Sequence, residues 1–420
     1  MRRTFVFLSL ITYLTLSACT RPDEGPSPFE KLTEPQGEIT FTPAGPIQGP
    51  EFQILPDMLL VYGPGLSGFS VKEVISDNSR LASYTETVDE ISLTGVEIVE
   101  KISLEYSVNP RLLLALLDYR SGWVQAEDVE NSAEYPITND NPSRTGLFRQ
   151  LSWVANELNR GFYSRRVGGL KQISLTDGTL VEVSPKVNDA SAALHYVLGK
   201  ILSFKDWQTA VGPLGLYASY FSLFGDPSRV SVSTQFPADL AQPEMQLPFV
   251  DKQGWFFTSG PHSAWGDGAA WAALDFAPDE EQYGCYDSPV WVTATADGLV
   301  VRSADGQVLQ DLDGDGDEGT GWTILYMHIA TDDRVEVGTN LHTGERIGHP
   351  SCEGGPASGT HLHLARRYNG EWIPADQNLP FALSGWISKG DGVEYDGSLT
   401  RGDDEIYASG FPTDENKITP

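Results

Sequence analysis

The sequence predicts a multidomain protein in which an α-helical region is followed by a β-rich region built on an antiparallel sheet. At 420 residues the chain is too long for one ordinary domain. Apolar residues recur at helical spacing through residues 53–226, whereas short β-type runs separated by Asp-Gly and Asn-Gly turns follow in residues 248–390. The proline-containing segment 227–247 lies between these regions and is expected to be a linker.

The charge balance excludes one class of partner. The chain carries 58 acidic and 28 basic residues, which is a formal net charge of −30. Nucleic-acid phosphates repel such a chain, so no nucleic-acid partner is expected. The sequence also lacks an apolar run long enough to predict a transmembrane helix. Nothing in it indicates the oligomeric state.

The first residues have the features of a secretory signal. Two arginines precede an apolar stretch over 5–16 that is too short to span a bilayer. The end of this segment, Leu-Ser-Ala-Cys at 16–19, resembles a bacterial lipobox, in which the cysteine is lipidated. We therefore expect a lipoprotein signal peptide over 1–18 and an extracytoplasmic protein that is anchored to the envelope membrane through lipid on Cys19. An ordinary signal peptide with a chance cysteine is the alternative.

Residues 19–52 are rich in proline and have no periodic apolar pattern. This composition is typical of a semi-rigid tether. A tether would allow a membrane-anchored protein to act on a target above the membrane, and a plain spacer is the alternative.

Five helices are predicted in the helical region from the spacing of apolar residues, and a capping signal marks the start of one of them. The apolar positions that predict helices fall in 96–106, 147–158, 192–202 and 214–224, with a further apolar face over 112–117. Asn109-Pro110 predicts the start of that helix, because Asn caps a helix N-terminus and proline lacks an N–H that would be unpaired there.

The β-rich region is predicted from its runs and turns. Strands are expected at 291–294, 299–301 and 322–326, with turns at Asp297-Gly298, Asp305-Gly306 and Asn369-Gly370. Residues 391–420 are acidic and unpatterned, and we expect an irregular tail that carries no site. With Cys19 lipidated, Cys285 and Cys352 remain, and outside the cytoplasm they are expected to form a disulfide. Two free thiols are the alternative.

Most of the seven histidines lie in one stretch of the β-rich region. His361 and His363 are two residues apart on a predicted strand, so their imidazoles point to the same face. His328 ends another β-run, and His262 lies in a loop. Asp275 is a carboxylate between large apolar residues, where an unpaired charge is costly. Three nitrogen and oxygen ligands with one open position are typical of a catalytic zinc site, so the sequence predicts zinc.

Motifs in residues 248–375 resemble those of the M23 zinc metallopeptidases, which are β-rich peptidoglycan endopeptidases of the duplicated hybrid motif type. The matching segments, in family order, are Gly260-Pro261-His262, Asp275, Asp297-Gly298-Leu299-Val300, Tyr326-Met327-His328, Val337-Gly338 with Arg346-Ile347-Gly348, and Gly359-Thr360-His361-Leu362-His363. The wide interval between His262 and Asp275 is similar to the β-lytic branch of the family. The commoner branch has a histidine four residues before the aspartate, where this chain has Trp271.

The resemblance implies a set of site residues. His262, Asp275 and His363 would bind zinc, and His328 and His361 would be catalytic, orienting the attacking water and stabilising the developing oxyanion. Zinc lowers the pKa of a bound water and polarises a carbonyl group, and a histidine that is not a ligand can move protons at neutral pH. The implied substrate and partner is peptidoglycan.

A second cation is suggested by Asp311, Asp313, Asp315 and Asp317, whose alternate spacing is that of a calcium loop. Trp322 stands where an EF-hand carries glutamate, and no flanking helices are predicted. A calcium-binding turn and a solvated acidic turn therefore remain as alternatives.

The remaining histidines, His195, His342 and His349, are expected to be structural. His195 lies within a predicted helix and the other two lie in turn-rich stretches. Trp265 and Trp271, near the predicted site, are consistent with a substrate cleft and equally with loop packing.

Residues 95–225 weakly resemble lysozyme-like lytic transglycosylases, on the stretch from Val108 to Ser121. In that family the residue before this serine is the catalytic glutamate, and here it is Arg120. An arginine stays charged and cannot protonate a glycosidic oxygen. The resemblance therefore implies a lysozyme-like fold and glycan binding without glycosidase activity. An unrelated helical domain is the alternative.

The expected function is that of a membrane-anchored zinc metalloendopeptidase that hydrolyses peptide cross-links of peptidoglycan. One alternative is a catalytically inactive M23-type lipoprotein that binds the cell wall or activates a hydrolase. Another is a purely structural envelope protein. Bound zinc would favour the enzyme, because intact ligands predict one zinc ion per chain.

Overall fold

The computed structural model describes residues 45–126, 134–138, 141–229 and 236–419. The predicted signal peptide, Cys19 and most of the predicted tether lie outside these residues. Within the described ranges, the helices are all too short or too polar to cross a membrane. The described residues form a helical region followed by a β-rich region, as the sequence predicts.

Helices occupy much of the chain between residues 71 and 224. They are α1 (Val71–Val74), α2 (Arg80–Ser83), α3 (Gly95–Tyr106), α4 (Pro110–Ser121), α5 (Leu147–Arg166), α6 (Asp189–Gly199), α7 (Phe204–Ala210) and α8 (Leu216–Phe224). Five short strands accompany them: β1 (Ile47–Gln48), β2 (Thr85–Val88), β3 (Ile91–Thr94), β4 (Gln172–Ser174) and β5 (Leu180–Glu182). The first, fourth and fifth form one small sheet, and β2 pairs with β3. Strands of two to four residues are too short for an apolar pattern to predict.

Local sequence explains where α3 and α4 begin. The Thr94 hydroxyl accepts a hydrogen bond from the N–H of Glu97, and the Glu97 carboxylate accepts one from the N–H of Thr94 at 2.7 Å. This reciprocal pair satisfies two backbone donors at the start of α3. At α4 the Asn109 side chain accepts from the N–H of Arg111 at 2.9 Å and Pro110 is the first helical residue, so the predicted start is confirmed.

The β-rich region consists of short strands. They are β6 (Trp255–His262), β7 (Ala273–Pro278), β8 (Val292–Thr293), β9 (Gly298–Ala304), β10 (Gln307–Asp311), β11 (Trp322–Met327), β12 (Asn340–Leu341), β13 (Arg346–Gly348), β14 (Leu362–Tyr368), β15 (Glu371–Trp372), β16 (Ala382–Leu383), β17 (Trp386–Lys389), β18 (Ser398–Arg401), β19 (Asp404–Tyr407) and β20 (Lys417–Ile418). A nine-stranded sheet runs in the order β12-β9-β10-β11-β14-β7-β6-β20, with β15 paired to β14. Strands β16 to β19 form a second sheet, and β8 pairs with β13. The pairing in these sheets is antiparallel, as predicted.

The two faces of the nine-stranded sheet have different neighbours. Side chains alternate along a strand, so Leu364 of β14 points to one face and His363 and Ala365 point to the other. Leu364 lies in the core of the β-rich region, whereas Ala365 packs into the core that includes the helices. On β7, Ala273 also packs into the helical core, which places Asp275 on that face. The helical region therefore packs against the sheet face that carries the predicted metal ligands.

Three segments differ from expectation. The end of the predicted tether is part of the fold, because β1 pairs with β5. The end of the predicted linker is packed, because Met245 and Leu247 are buried in the core of the β-rich region. Residues 391–420, expected to be an irregular tail, contain β18, β19 and β20, the last of which pairs with β6. Strands β1 and β18 to β20 have two to four residues each, too few for a periodicity to be visible in the sequence.

The predicted disulfide between Cys285 and Cys352 is present, with an S–S distance of 2.13 Å. It joins the loop between β7 and β8 to the segment between β13 and β14. Beside it, the N–H of Thr360 donates to the carbonyl oxygen of Gly284 at 2.9 Å. The segment that leads into His361 is thus tied to a neighbouring loop.

Candidate active site

The structure brings His262, Asp275 and His363 together in a buried cluster. Nε2 of His262 and Nδ1 of His363 are 3.1 Å apart, and each lies 3.2 Å from Oδ1 of Asp275. His262 ends β6, Asp275 lies on β7, and the register of β7 and β14 sets His363 opposite Asp275. Adjacent strands therefore position all three side chains.

Backbone carbonyls set the tautomers of the two histidines. Nδ1–H of His262 donates to the carbonyl oxygen of Gly260 at 2.8 Å, and Nε2–H of His363 donates to that of Ala264 at 3.1 Å. Each ring therefore turns its other nitrogen, which carries a lone pair, toward Asp275. Three buried acceptor atoms face one another, an arrangement that a cation among them would stabilise.

Asp275 is ionised in this cluster. Burial opposes its ionisation, but electrostatic attraction to the imidazoles of His262 and His361, with close side-chain contacts from His262 and His363, holds the pKa of the Asp275 carboxyl well below its usual range. A carboxylate with two imidazoles is a donor set that zinc accepts.

The distances fit tetrahedral zinc. Bonds of about 2.0–2.1 Å to nitrogen and oxygen place two tetrahedral ligand atoms about 3.3 Å apart, close to the 3.1 and 3.2 Å between the three atoms here. Three protein ligands leave a fourth position for water or substrate, as in catalytic sites. Zinc held there would polarise the scissile carbonyl and lower the pKa of the attacking water.

His328 and His361 lie beside this cluster. Their ring centroids are 4.4 Å apart, and Nε2 of His361 is 3.8 Å from Oδ2 of Asp275. Nδ1–H of His361 donates to the carbonyl oxygen of Gly359 at 2.8 Å, and Nδ1–H of His328 donates to that of Glu353 at 2.7 Å. Burial, followed by the neighbouring imidazoles, lowers the pKa of His328 to about 3. In both rings the proton on Nδ1 is held by a carbonyl oxygen, which leaves Nε2 with the lone pair.

Helix α5 holds the loop between His262 and Asp275. Oδ1 of Asn156 accepts hydrogen bonds from the N–H of Asp267 at 3.2 Å and of Gly268 at 3.0 Å, and Nδ2 of Asn156 donates to Oδ1 of Asp267 at 2.6 Å. A Cβ at Gly268 would lie 2.1 Å from the backbone oxygen of Asn156. The loop approaches the helix this closely because the position is glycine.

Of the two tryptophans near the site, Trp265 packs edge to face against Tyr106 of α3, with ring centroids 6.1 Å apart. This contact favours loop packing over a cleft-lining role for Trp265. The carbonyl oxygen of Trp271 accepts a hydrogen bond from the N–H of Ala375 at 2.8 Å. Trp271 therefore helps to join the loop between His262 and Asp275 to the segment after β15.

The three histidines expected to be structural are not among the described residues that form the cluster. His195 is buried in α6 with its ring edge to face against Trp207. The ring of His349 packs on Trp291 at 3.9 Å. His342 is exposed and lies 3.4 Å from Asp297.

Tyr395 contacts this site although no sequence pattern predicts it. Its ring stacks on His262 with centroids 4.8 Å apart and an interplanar angle of 24°. Its φ of +73° is left-handed, and its carbonyl oxygen accepts a hydrogen bond from the N–H of Gly260 at 2.7 Å. Tyr395 lies in the segment expected to carry no site. A lone aromatic residue in an acidic stretch gave no signal that it would contact a histidine on β6.

The predicted calcium loop is only partly assembled. Carboxylate oxygens of Asp311, Asp313 and Asp315 lie within 4.8 Å of one another, and within the described part of the chain Asp317 is outside this group. Asp311 is buried and accepts hydrogen bonds from the N–H of Asp313 at 3.2 Å and of Gly316 at 3.0 Å. Burial raises the pKa of Asp311 to about 6.

In the helical region, Arg120 occupies the position predicted for a catalytic acid. Its Nε donates a hydrogen bond to the carbonyl oxygen of Ile137 at 3.0 Å. Two acids of the same region could be considered in place of a glutamate at this position: Glu105 forms an ion pair with Lys101 at 2.8 Å, and burial raises the pKa of Asp118. Arg120 thus has a structural partner in the fold.

Comparisons with known proteins identify proteins to which this chain is similar. Residues 53–238 match the family model described as LasA, N-terminal domain. The chain is 28% identical over 347 residues to Protease LasA of Pseudomonas aeruginosa (strain UCBPP-PA14), covering 78% of this chain and 77% of that protein. For Protease LasA of Pseudomonas aeruginosa strain PAO1 the identity is 28% over 387 residues, covering 88% of this chain and 84% of that protein.

Parts of this chain are also similar to two solved structures. The M23 metalloprotease pseudoalterin, from the deep sea, is 23% identical with a TM-score of 0.34, covering 40% of this chain and 96% of its own. The catalytic domain of lysostaphin from Staphylococcus simulans is 20% identical with a TM-score of 0.20, covering 29% of this chain and 86% of its own.

The site, together with the similarity to Protease LasA, defines a metallopeptidase of the zinc-dependent M23 type. More particularly, the chain is a LasA-like protein, in which a region similar to the LasA N-terminal domain precedes the β-rich region that carries the His262, Asp275 and His363 cluster. The region predicted to resemble lysozyme is this LasA-type domain, and its lysozyme-like character stays a prediction.

Proposed function

We propose that this protein hydrolyses peptide bonds in the cross-links of peptidoglycan, outside the cytoplasm. One observation carries the proposal: the buried triangle of His262, Asp275 and His363, with sides of 3.1 and 3.2 Å, next to two histidines that are not part of it. The triangle supports zinc binding, and the adjacent pair supplies the proton transfers that amide hydrolysis needs.

In the proposed reaction, His328 and His361 would accept and donate the protons that are transferred. Because Nδ1–H of His328 and of His361 each donate to a carbonyl oxygen, each ring presents an unprotonated Nε2. Such a nitrogen can take a proton from the attacking water. Once protonated, the same N–H can donate to the carbonyl oxygen as negative charge develops, or to the departing amine.

The proposal is tested by incubating the zinc-loaded protein with purified cell-wall sacculi. We expect peptides with newly formed amino termini to be released, and both a chelator and His363→Ala to stop the release. A preparation that holds one zinc ion per chain and releases no peptide would instead support a catalytically inactive protein of the M23 type. Mass spectrometry of the released peptides identifies the bond that is cut.

The proposed location is the outer side of a membrane, with lipid on Cys19. The lipobox-like sequence supports it, and the Cys285–Cys352 disulfide is consistent with an oxidising compartment. Cys19→Ser should release the protein from washed membranes while zinc content stays unchanged. Retention of this variant in the membrane fraction would contradict anchoring through Cys19.

A calcium ion at Asp311, Asp313 and Asp315 is a further part of the proposal. Their convergence supports it, and Ca²⁺ favours carboxylate oxygens. Calcium should raise the melting temperature of the wild type and leave Asp313→Ala unchanged. An equal response of the two proteins to calcium would support a solvated acidic turn.

A further inference from the structure

The backbone of His328 has an unusual conformation. Its φ of +66° is in the left-handed region, which residues with a Cβ rarely adopt and which persists only where surrounding contacts hold it. One holding contact is Ser351, whose N–H at 2.6 Å and hydroxyl at 3.1 Å both donate to the carbonyl oxygen of His328. The segment that begins at Ser351 therefore fixes the backbone of His328.

The same segment fixes the ring. The carbonyl oxygen of Glu353 accepts Nδ1–H of His328 at 2.7 Å. This contact selects the tautomer in which Nε2 carries the lone pair. It also sets the rotation of the imidazole beside His361, at 4.4 Å between ring centroids.

The side chain of Glu353 holds the chain on the other side of His328. One carboxylate oxygen accepts a hydrogen bond from the N–H of Thr331 at 2.8 Å, and the other accepts from the Thr331 hydroxyl at 2.7 Å. Arg334 lies 3.6 Å from the second oxygen. Glu353 thus contacts the ring of His328 through its backbone and the segment leaving His328 through its side chain.

Glu353 is itself held from two directions. Its neighbour Cys352 is bonded to Cys285. On another side lies the Asp305-Gly306 turn, where a Cβ at Gly306 would be 2.5 Å from the carbonyl carbon of Glu353. A turn packed this closely leaves the Glu353 carbonyl little freedom to move away from the imidazole.

From this geometry we infer that Glu353 is a positioning residue for His328: its carboxylate fixes the segment after His328 and so keeps the imidazole on the Glu353 carbonyl oxygen. The inference rests on the proposed function, in which His328 exchanges protons with the substrate. It predicts that removing the carboxylate lowers the rate of cleavage while zinc binding and substrate affinity stay the same.

The test compares Glu353→Ala and Glu353→Gln with the wild type. Glutamine keeps the shape and both contacts to Thr331, since its oxygen can accept the N–H and its amide can donate to the hydroxyl. We expect Glu353→Ala to lower kcat about tenfold with KM and zinc content unchanged, and Glu353→Gln to recover most of the loss. Glu336→Ala is the control, because the Glu336 side chain is exposed. The hydrogen bonds that Thr339 donates go to the backbone carbonyl of residue 336, which alanine retains.

A second measurement does not depend on cleavage. Two-bond proton–nitrogen NMR spectra of histidine-labelled, zinc-loaded protein report the tautomer of each imidazole, and the His328 signal is assigned by its loss in His328→Gln. We expect one tautomer, with the proton on Nδ1, in the wild type and in Glu353→Gln, and a mixture in Glu353→Ala. A single Nδ1–H tautomer and an unchanged kcat in Glu353→Ala would overturn the inference. A wild type that cleaves nothing but shows the expected tautomers would count against the proposed function alone.

Discussion

His363 donates its Nε2–H to the carbonyl oxygen of Ala264, 3.1 Å away, and this contact joins the metal cluster to the loop that precedes Asp275. The hydrogen bond leaves Nδ1 of His363 to face Asp275. The same loop is held from the helical side by Asn156 of α5. The orientation of a predicted zinc ligand is therefore linked, through one loop, to the LasA-type domain.

The first prediction concerns that link. Asn156→Ala removes the hydrogen bonds to Asp267 and Gly268 and should loosen the loop carrying Ala264. Because the carbonyl of Ala264 in this loop orients His363, and groups that orient a ligand affect metal affinity by about tenfold or more, we expect weaker zinc binding. Competition with a chelator measures the zinc affinity, and Asn340→Ala, at an exposed position on β12, is the matched control. Equal zinc affinity in Asn156→Ala and the wild type would show that the loop does not need α5.

Substitution should separate the ligands from the adjacent histidines. His363→Ala removes one of three ligands and should abolish both zinc binding and cleavage. His328→Ala should keep most of the zinc and lose most of the rate, because its ring lies beside the cluster. Elemental analysis and peptide release measure the two effects. A zinc-free His328→Ala protein would place His328 among the ligands.

Stability should depend on His195 at acid pH. Burial lowers the pKa of this imidazole from 6.5 to about 4, so as the pH falls the unfolded chain takes up the proton before the folded protein does. This contribution is fully present above about pH 6.5 and is lost as the pH falls toward 4, by about 3 kcal/mol in total. Urea unfolding at pH 7 and pH 4.5 should show a smaller loss of stability in His195→Leu than in the wild type. His342→Leu, at an exposed histidine, should behave as the wild type does, and a loss in His195→Leu equal to that of the wild type would contradict the assignment.

Restoring glutamate at position 120 should not produce glycan cleavage. The Arg120 guanidinium donates to the carbonyl oxygen of Ile137, and a carboxylate in its place would face that oxygen without a donor, at a cost of about 1–3 kcal/mol. A glycosidase also needs a pocket that raises the pKa of the acid and binds the sugar. Neither the wild type nor Arg120→Glu should release anhydro-muropeptides from sacculi. Turnover by the wild type would show that another acid serves.

Much of the fold follows from the sequence because its signals are local. The Asn109-Pro110 helix start and the Asp305-Gly306 turn depend on a few adjacent residues and are confirmed. The strands in residues 391–420 are not predictable in this way. They are short, and although β18 and β19 form a local hairpin, the pairing of β20 with β6 joins residues distant in sequence.

Some residues of the site can likewise be predicted from local sequence, and others cannot. His361 and His363 are detectable because strand alternation puts both on one face, and Asp275 because an unpaired carboxylate among apolar residues needs a partner. Tyr395 and Glu353 are not detectable, since a stacking contact and a carbonyl acceptor leave no motif. The packing of the helical region on the sheet face with the predicted ligands is not detectable from sequence either. It depends on tertiary contacts, here those of Ala365 and Ala273.

The central claim is that one zinc ion, held by His262, Asp275 and His363, makes this chain a peptidase. The most direct measurement is a titration of metal-free protein with zinc while release of peptides from sacculi is followed. The account predicts a rate that rises in proportion to added zinc and stops rising at about one equivalent per chain. Full activity of the metal-free protein, or no peptide release at saturating zinc, would contradict it.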